Sequence, residues 1–393
     1  MTAMENARTR LAALGAAVPN LFFPREGTDL SKFAVVACDQ YSAQPEYWDE
    51  VVRFVGDAPS ALRLMMPEAW LGKNASHEAS IPARMEQYLF DKTLQPLGEG
   101  VMFLHRGTTT GVRRGLVLAL DLEQYDFTPG SSSLIRATEK TIVERLPARI
   151  AIRAKATLEM PHIMVLLDDR ENRLMSALDE TVSGTAPLYD FELMQKSGRL
   201  TGWFLQEETV LEKIAAALEE LHRSSDSGML YAMGDGNHSF AAAKAHWDEV
   251  KKGLSPDERA VHPARFGLVE LVNLYDPALA FEPIHRLLMG VDPTAVQRDL
   301  GFDAENPPSL QELQPKLDEW LSRHPKASLE YIHGAEDCRR LGKAPDRLAI
   351  VWERFEKESL FSDVAKHGVL CRKSFSMGTA PDKRFYLECR AIR

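Results

Sequence analysis

The sequence predicts an α+β protein, a mixed sheet with helices, rather than a doubly wound parallel sheet. Three observations carry this. Short apolar runs and helical segments alternate along the chain without a regular βαβ rhythm. Two apolar runs, at 101–108 and 113–122, flank a Thr/Gly turn and read as a β-hairpin. A third short run, at 229–233, enters Gly234-Asp235-Gly236-Asn237-His238-Ser239, and an alanine-rich segment of good helix propensity follows at once.

The remaining elements follow in order. Residues 33–38 form a short β-rich run ending in Asp39-Gln40-Tyr41-Ser42, and Pro45-Glu46 opens a helix to Phe54. Further helices are expected at 59–70 and 77–92. The Pro/Gly/Ser loop at 128–133 is the best boundary, and beyond it the chain becomes charged and helical. A strand at 163–167 ends at Asp168-Asp169, a helix spans 208–223, and a polar link at 224–228 leads to the glycine turn. Residues 266–274 read as a strand, 310–323 as a helix, and 328–332 and 347–352 as strands, before a basic tail from Gly368. Three regions result: 1–132, an N-terminal α+β region; 133–290, with the glycine turn; and 291–393, a C-terminal α+β region.

Composition removes several functional classes. The chain has 393 residues, enough for two domains or one large one. Its net charge of −10 disfavours non-specific binding to nucleic acid or to anionic membrane surfaces. Cys38, Cys338, Cys371 and Cys389 show no CxxC spacing, so neither a zinc ribbon nor a disulfide framework is indicated. The apolar run near the N-terminus is too short for a signal peptide, and no segment approaches the roughly 20 apolar residues of a membrane span. The expectation is a cytoplasmic protein that binds neither nucleic acid nor membrane.

Three constellations could carry chemistry. At the glycine turn, Gly234 and Gly236 would let backbone pass close to a phosphate, with the helix from Ser239 presenting its N–H groups. The plain alternative is a strand-to-helix connection capped by Asn237 or Ser239. No Gly-Lys-Ser/Thr follows and G-x-G-x-x-G is incomplete, so it is neither a Walker loop nor a dinucleotide fingerprint. The second constellation is Arg136, Glu139, Lys140 and Thr141, followed by Arg145, Arg149 and Arg153. Like charges at helical spacing call for an anion among them, or for pairing with Glu144 and Glu159. The third is Pro283-Ile284-His285-Arg286, which could position a phosphate or move a proton. Asp168-Asp169 suits Mg²⁺ or a strand-ending turn equally well. Cys38 has no activating His nearby and reads as inert.

Taken in order, Asp39-Gln40-Tyr41 with Gln44-Pro45-Glu46, Glu139-Lys140-Thr141, the glycine turn and Pro283-Ile284-His285-Arg286 resemble the bacterial domain-of-unknown-function family 1015. The resemblance runs over nearly the whole chain. In much of that family the turn reads Asp-Gly-His-His-Arg, which is similar to the phosphate motif of the ParB, sulfiredoxin and free-serine-kinase superfamily. The resemblance therefore implies a ParB/sulfiredoxin-like nucleotide-binding core with additional subdomains. Two departures stand out: Asn237 replaces a His and Ser239 replaces an Arg, which removes a forked phosphate contact. No cysteine sits in the turn, which argues against sulfiredoxin chemistry, and the charge argues against ParB-type DNA binding.

The resulting expectation is a phosphotransferase that uses Mg²⁺ with ATP or ADP, or with CTP, to phosphorylate a small hydroxyl-bearing metabolite. Glu139, Asp235 and His238 are its catalytic residues, with Asp235 also the metal ligand. Gly234, Gly236, Asn237, Ser239, Lys140, Arg136, Arg145, His285 and Arg286 are its phosphate contacts. A regulatory nucleotide binder without turnover, and a hydrolase or lyase of a phosphorylated or carboxylated metabolite, are the alternatives.

Overall fold

The computed structural model describes residues 6–37, 40–161 and 163–393; of Gln40, Ala43 and Arg145 only the backbone is described. The chain forms two compact units. The first comprises Met1–Ala137, Thr141–Leu279 and Thr379–Arg393; the second comprises Thr138–Lys140 and Ala280–Gly378.

The first unit is built on a ten-stranded mixed sheet. From one edge its strands are Tyr189–Glu192, Arg199–Leu205, Val101–Thr108, Gly111–Asp121, Phe266–Asn273, Met164–Leu167, Tyr231–Asp235, Ile135–Arg136 and Tyr125–Asp126. Ala16–Ala17 pairs with Gly111–Asp121 off this path. Antiparallel pairing dominates on the hairpin side, whereas Phe266–Asn273 runs parallel to Met164–Leu167, and Tyr231–Asp235 parallel to Ile135–Arg136. The α+β expectation and the hairpin are thus realised.

Alternation along the strands makes two cores, because successive side chains leave opposite faces of a sheet. Val101, Phe103, Leu116, Leu118 and Leu120 join one core; Met102, Leu104 and Val117 join the other. The first core is closed by helices Ala7–Ala13, Arg173–Val182, Glu208–Arg223 and Asn237–Val250. In Glu208–Arg223 the buried residues Val210, Leu211, Ile214, Ala215 and Leu218 form the single stripe of an amphipathic helix. The second core is closed by Pro45–Val55 and Ala75–Phe90 and by Phe385, Leu387 and Cys389 of the returning C-terminal segment. Each apolar side chain moved from water into these layers contributes about 1.5–3 kcal/mol.

The expected helix at 59–70 is instead two single 3₁₀ turns, Ala61–Arg63 and Glu68–Trp70. Pro67 has no N–H to continue a ladder, and Ser60 caps the first turn by accepting the Leu62 N–H at 3.2 Å. The expected run at 33–38 is divided as well. Asp29 caps a short helix, Leu30–Phe33, leaving Val35–Val36 as a two-residue strand paired with Phe385–Tyr386. Cys38 and Asp39 lie outside the described residues.

The second unit has a three-stranded antiparallel sheet with His285–Met289 between Ser328–Ile332 and Arg347–Ile350. One face carries Leu288 and Ile350 against Leu313, Leu317 and Trp320 of helix Leu310–Arg323; the other carries Leu287 against Cys338. Among the described residues no helix is long and apolar enough to cross a membrane.

Candidate functional site

In the first unit, strand Tyr231–Asp235 turns at Gly236 into helix Asn237–Val250. Gly236 has φ +79°, and a Cβ there would lie 3.0 Å from Ile163 Cγ1 and 3.1 Å from its Cα, so any other residue is both strained and crowded. The Gly236 N–H donates to Asp235 Oδ1 at 2.8 Å, and the Gly236 carbonyl accepts from Ser239 and Phe240, both at 3.0 Å. No side chain caps this helix. Asn237, a residue suited to capping, instead leaves Oδ1 buried without a hydrogen-bond partner among the described residues.

His238 Nε2 accepts the Ile142 N–H at 3.2 Å. That nitrogen is therefore deprotonated, and the ring donates only through Nδ1. Asp235 Oδ2 accepts a hydrogen bond from Lys383 Nζ at 3.0 Å. The lysine side chain is 8% exposed and the carboxylate 38%, so a buried ammonium is held against a carboxylate that faces water.

Beside this turn, helix Leu146–Arg153 packs on Asn237–Val250. Its Arg149 donates through Nη2 to both carboxylate oxygens of Glu68, at 2.7 and 2.8 Å. Burial holds the Tyr386 hydroxyl above its ordinary pKa; Glu68 and Asp235 add to this, and Arg149 opposes it. Arg153 donates to Glu159 at 2.5 Å, and Arg390 donates to the same carboxylate at 2.6 Å. Burial alone would raise the Glu159 pKa, but these two guanidinium groups hold it down at about 2. The anions that Arg149 and Arg153 call for are thus side chains of the protein itself.

The expected site residues divide between the units. Arg136, Gly234, Asp235, Gly236, Asn237, His238 and Ser239 belong to the first; Glu139, Lys140, His285 and Arg286 belong to the second. The Arg145 side chain lies outside the described residues. Arg136 is not poised for phosphate: its Nε donates to the Ser133 carbonyl at 2.9 Å and its Nη2 to the Ser227 carbonyl at 2.7 Å. Burial lowers its pKa.

Arg286 is likewise spent on the protein. It is fully buried and donates to Gln314 Oε1 at 2.6 Å and to the carbonyls of Ile284, Lys373 and Arg372 at 2.6, 3.0 and 2.9 Å. Burial lowers its pKa to about 10. His285 is 3% exposed, and its Nδ1 has no partner among the described residues. Burial, aided by Arg339 and Arg286, pushes its pKa down to about 4, so near pH 7 it is neutral and too weak a base to hold a transferred proton. Glu139 bridges to Leu370, and Lys140 is exposed. Asp168 accepts from the Tyr275 hydroxyl at 2.7 Å and Asp169 from the Leu174 N–H at 3.0 Å, which makes the pair a strand-ending turn.

No group of three or more His, Cys, Asp or Glu side chains gathers as a metal-ligand set among the described residues. Asp235 has one oxygen on the Gly236 N–H and the other on an ammonium, so both oxygens already have partners within the protein. The contribution of Lys383 to the turn had only a general signal in the sequence, the basic tail after Gly368. Glu68 and Tyr386 had none.

No curated protein matches the chain. Two solved structures are similar to it, both of a mutant free serine kinase. The complex with AMP has a TM-score of 0.38 at 12% identity, covering 70% of this chain and 92% of that one. The complex with ADP has a TM-score of 0.36 at 12% identity, covering 73% and 95%. Likeness at this level is too slight to transfer a ligand or a reaction. The family described as "Protein of unknown function (DUF1015)" matches residues 22–322, most of the 393-residue chain, and the chain belongs to that family.

Proposed function

We propose that the glycine turn of the first unit binds the phosphates of a nucleotide, and that the protein transfers a phosphoryl group to a small hydroxyl-bearing metabolite. One observation carries the reading: an uncapped helix N-terminus meets a buried lysine ammonium at the end of a sheet strand. Such a turn offers backbone N–H groups to phosphate oxygens. Asn237 and the Ser239 hydroxyl add donors. Ser239 supplies no charge where the family resemblance implies an arginine, and Lys383 supplies it instead.

The chemistry follows from exchange of partners. Lys383 leaves Asp235 Oδ2 for the terminal phosphate, where a charge-assisted hydrogen bond is stronger. The freed carboxylate then accepts the substrate hydroxyl proton as that oxygen attacks phosphorus, and the nucleoside diphosphate departs. Glu139, the other carboxylate suggested by the family resemblance, belongs to the second unit and is not used in this scheme. A second reading, nucleotide binding without turnover, is favoured by the engagement of both Asp235 oxygens.

Calorimetric titration of the wild type and of Lys383→Met with ATP, ADP and CTP, with and without Mg²⁺, tests the proposal. The wild type should bind, and loss of the ammonium should weaken binding about 10- to 100-fold, the equivalent of a charged hydrogen bond worth about 1.5–3 kcal/mol. Equal affinity in the variant removes Lys383 from the site. No binding by any nucleotide removes the proposal and brings the metabolite hydrolase forward. Tight binding with no ADP formed in the presence of hydroxyl acceptors selects the regulatory reading.

A further inference from the structure

We propose that the first unit also carries a nucleoside subsite, in which Trp70 and the stacked pair Tyr41–Tyr47 take the planar base and Glu68 takes the ribose hydroxyls. The inference rests on the phosphate reading of the glycine turn and specifies the rest of the ligand.

The tryptophans set Trp70 apart. The chain has six. Five donate their indole N–H inside the protein: Trp48 to the Tyr41 carbonyl at 3.2 Å, Trp203 to the Thr185 carbonyl at 3.3 Å, Trp247 to Glu123 at 2.7 Å, Trp320 to Asp299 at 3.4 Å and Trp352 to the Pro308 carbonyl at 2.9 Å. The Trp70 indole N–H makes no hydrogen bond among the described residues, and its ring is only partly buried. A buried indole normally satisfies its N–H inside the protein, whereas the half-covered Trp70 keeps its N–H where water reaches it. The ring can therefore offer a ligand both a flat face and a polar edge.

The ring is also held in place before any ligand arrives. Its residue closes the 3₁₀ turn Glu68–Trp70, and its carbonyl accepts the N–H groups of Lys73 and Asn74 at 2.8 and 3.0 Å. The ring meets the edge of His77 at 5.0 Å and packs on Trp48 at 5.9 Å between centroids. Tyr41 and Tyr47 stack at 3.7 Å with 13° between their planes, and Tyr47 meets Trp48 edge-on at 5.4 Å. Ordering these rings has thus been completed by folding, and that entropy is not charged to binding.

Glu68 opens the same turn, so a carboxylate stands two residues from the indole. Arg149 orients it, and 38% of its side chain remains exposed. Carboxylates in this role accept the hydroxyls of a ribose. Arg149 lies on the helix that packs against Asn237–Val250, and Tyr386 feels the charges of both Glu68 and Asp235. Aromatic platform, carboxylate and phosphate turn thus all belong to the first unit, and Arg149 and Tyr386 connect Glu68 to the turn.

Titration of the wild type, Trp70→Leu and Trp70→Phe with ATP and with inorganic tripolyphosphate decides the matter. Base stacking on one aromatic side chain predicts that Trp70→Leu weakens ATP about 5- to 100-fold and leaves tripolyphosphate unchanged. Trp70→Phe, which keeps a stacking face and guards against a folding defect in the leucine variant, should retain most of the ATP affinity. ATP binding insensitive to Trp70→Leu, or an equal loss for both ligands, overturns the subsite while leaving the phosphate turn in place. A wild type that binds neither ligand overturns the phosphate reading and the subsite with it.

Discussion

Lys383 in the first unit and Arg286 in the second are both buried cations, yet their surroundings differ in kind. Arg286 sends four hydrogen bonds to protein acceptors and lies over the rings of Tyr331 at 4.6 Å and Trp352 at 5.9 Å. Lys383 meets a carboxylate that is 38% exposed, beside a helix terminus with no side-chain cap. The first cation pins loops together; the second is held by a partner that solvent, and hence a ligand, can reach. Charge in a motif is therefore a poor guide to anion binding unless the donors are followed to their acceptors.

The comparison breaks most visibly at Arg286. Arg286→Met leaves the carbonyls of Ile284, Arg372 and Lys373 and the Gln314 amide oxygen without their donor, at a cost of about 3–5 kcal/mol. Arg286→Lys should recover little of it, because an ammonium cannot reproduce the planar fork. Urea unfolding followed by the fluorescence of Trp320 and Trp352 reads the effect. A loss below about 1 kcal/mol would mean that Arg286 is not a structural pin, and the contrast with Lys383 would fall.

His285 sharpens the same point through pH. Its pKa in the folded state is about 4, below the ordinary value of roughly 6.5, chiefly because burial penalises the imidazolium. Between those values the unfolded chain binds more protons, so stability rises with pH across the window. It is complete above about pH 6.5 and is lost as pH falls toward 4, by at most about 3 kcal/mol. Urea midpoints from pH 4 to 7 should show this slope in the wild type and a flatter one in His285→Gln. Identical slopes would show that His285 titrates like an exposed histidine, and its exclusion from proton transfer would no longer hold.

Much of the fold was legible because local pattern and burial agree. The helices at 208–223 and 310–323 and the strand at 328–332 match the observed elements end to end, since each carries one uninterrupted period. The segment at 59–70 was not legible, because its apolar residues are buried on several sides and imitate a helix that Ser60 and Pro67 interrupt. The strand–turn–helix at Gly236 was legible from its glycines. Its partners were not: Lys383 is 148 residues from Asp235 in sequence, and Glu68 is 81 from Arg149. Neither spacing has a local signature. The Arg-rich segment is mixed: pairing with Glu159, six residues from Arg153, was legible, whereas the Glu68 that neutralises Arg149 was not.

The smallest expected effect separates two demands made on the turn. Gly228 and Gly236 flank strand Tyr231–Asp235, and both have positive φ, +69° and +79°. Alanine at either position meets the left-handed backbone penalty of about 1–2 kcal/mol. At Gly228 that is the whole cost, since nothing lies within 4 Å of the added methyl group. At Gly236 the methyl group also meets Ile163 at 3.0 Å on Cγ1 and 3.1 Å on Cα, and the Cα cannot rotate away. Gly236→Ala should therefore be less stable than Gly228→Ala by about 1 kcal/mol in urea unfolding, the lower range of overpacking costs. It alone should also weaken nucleotide binding, because relief of the clash displaces the N–H groups of Asn237 and His238. If the two variants unfold alike, the turn tolerates a side chain, and its glycine serves backbone conformation and not the close approach of a phosphate.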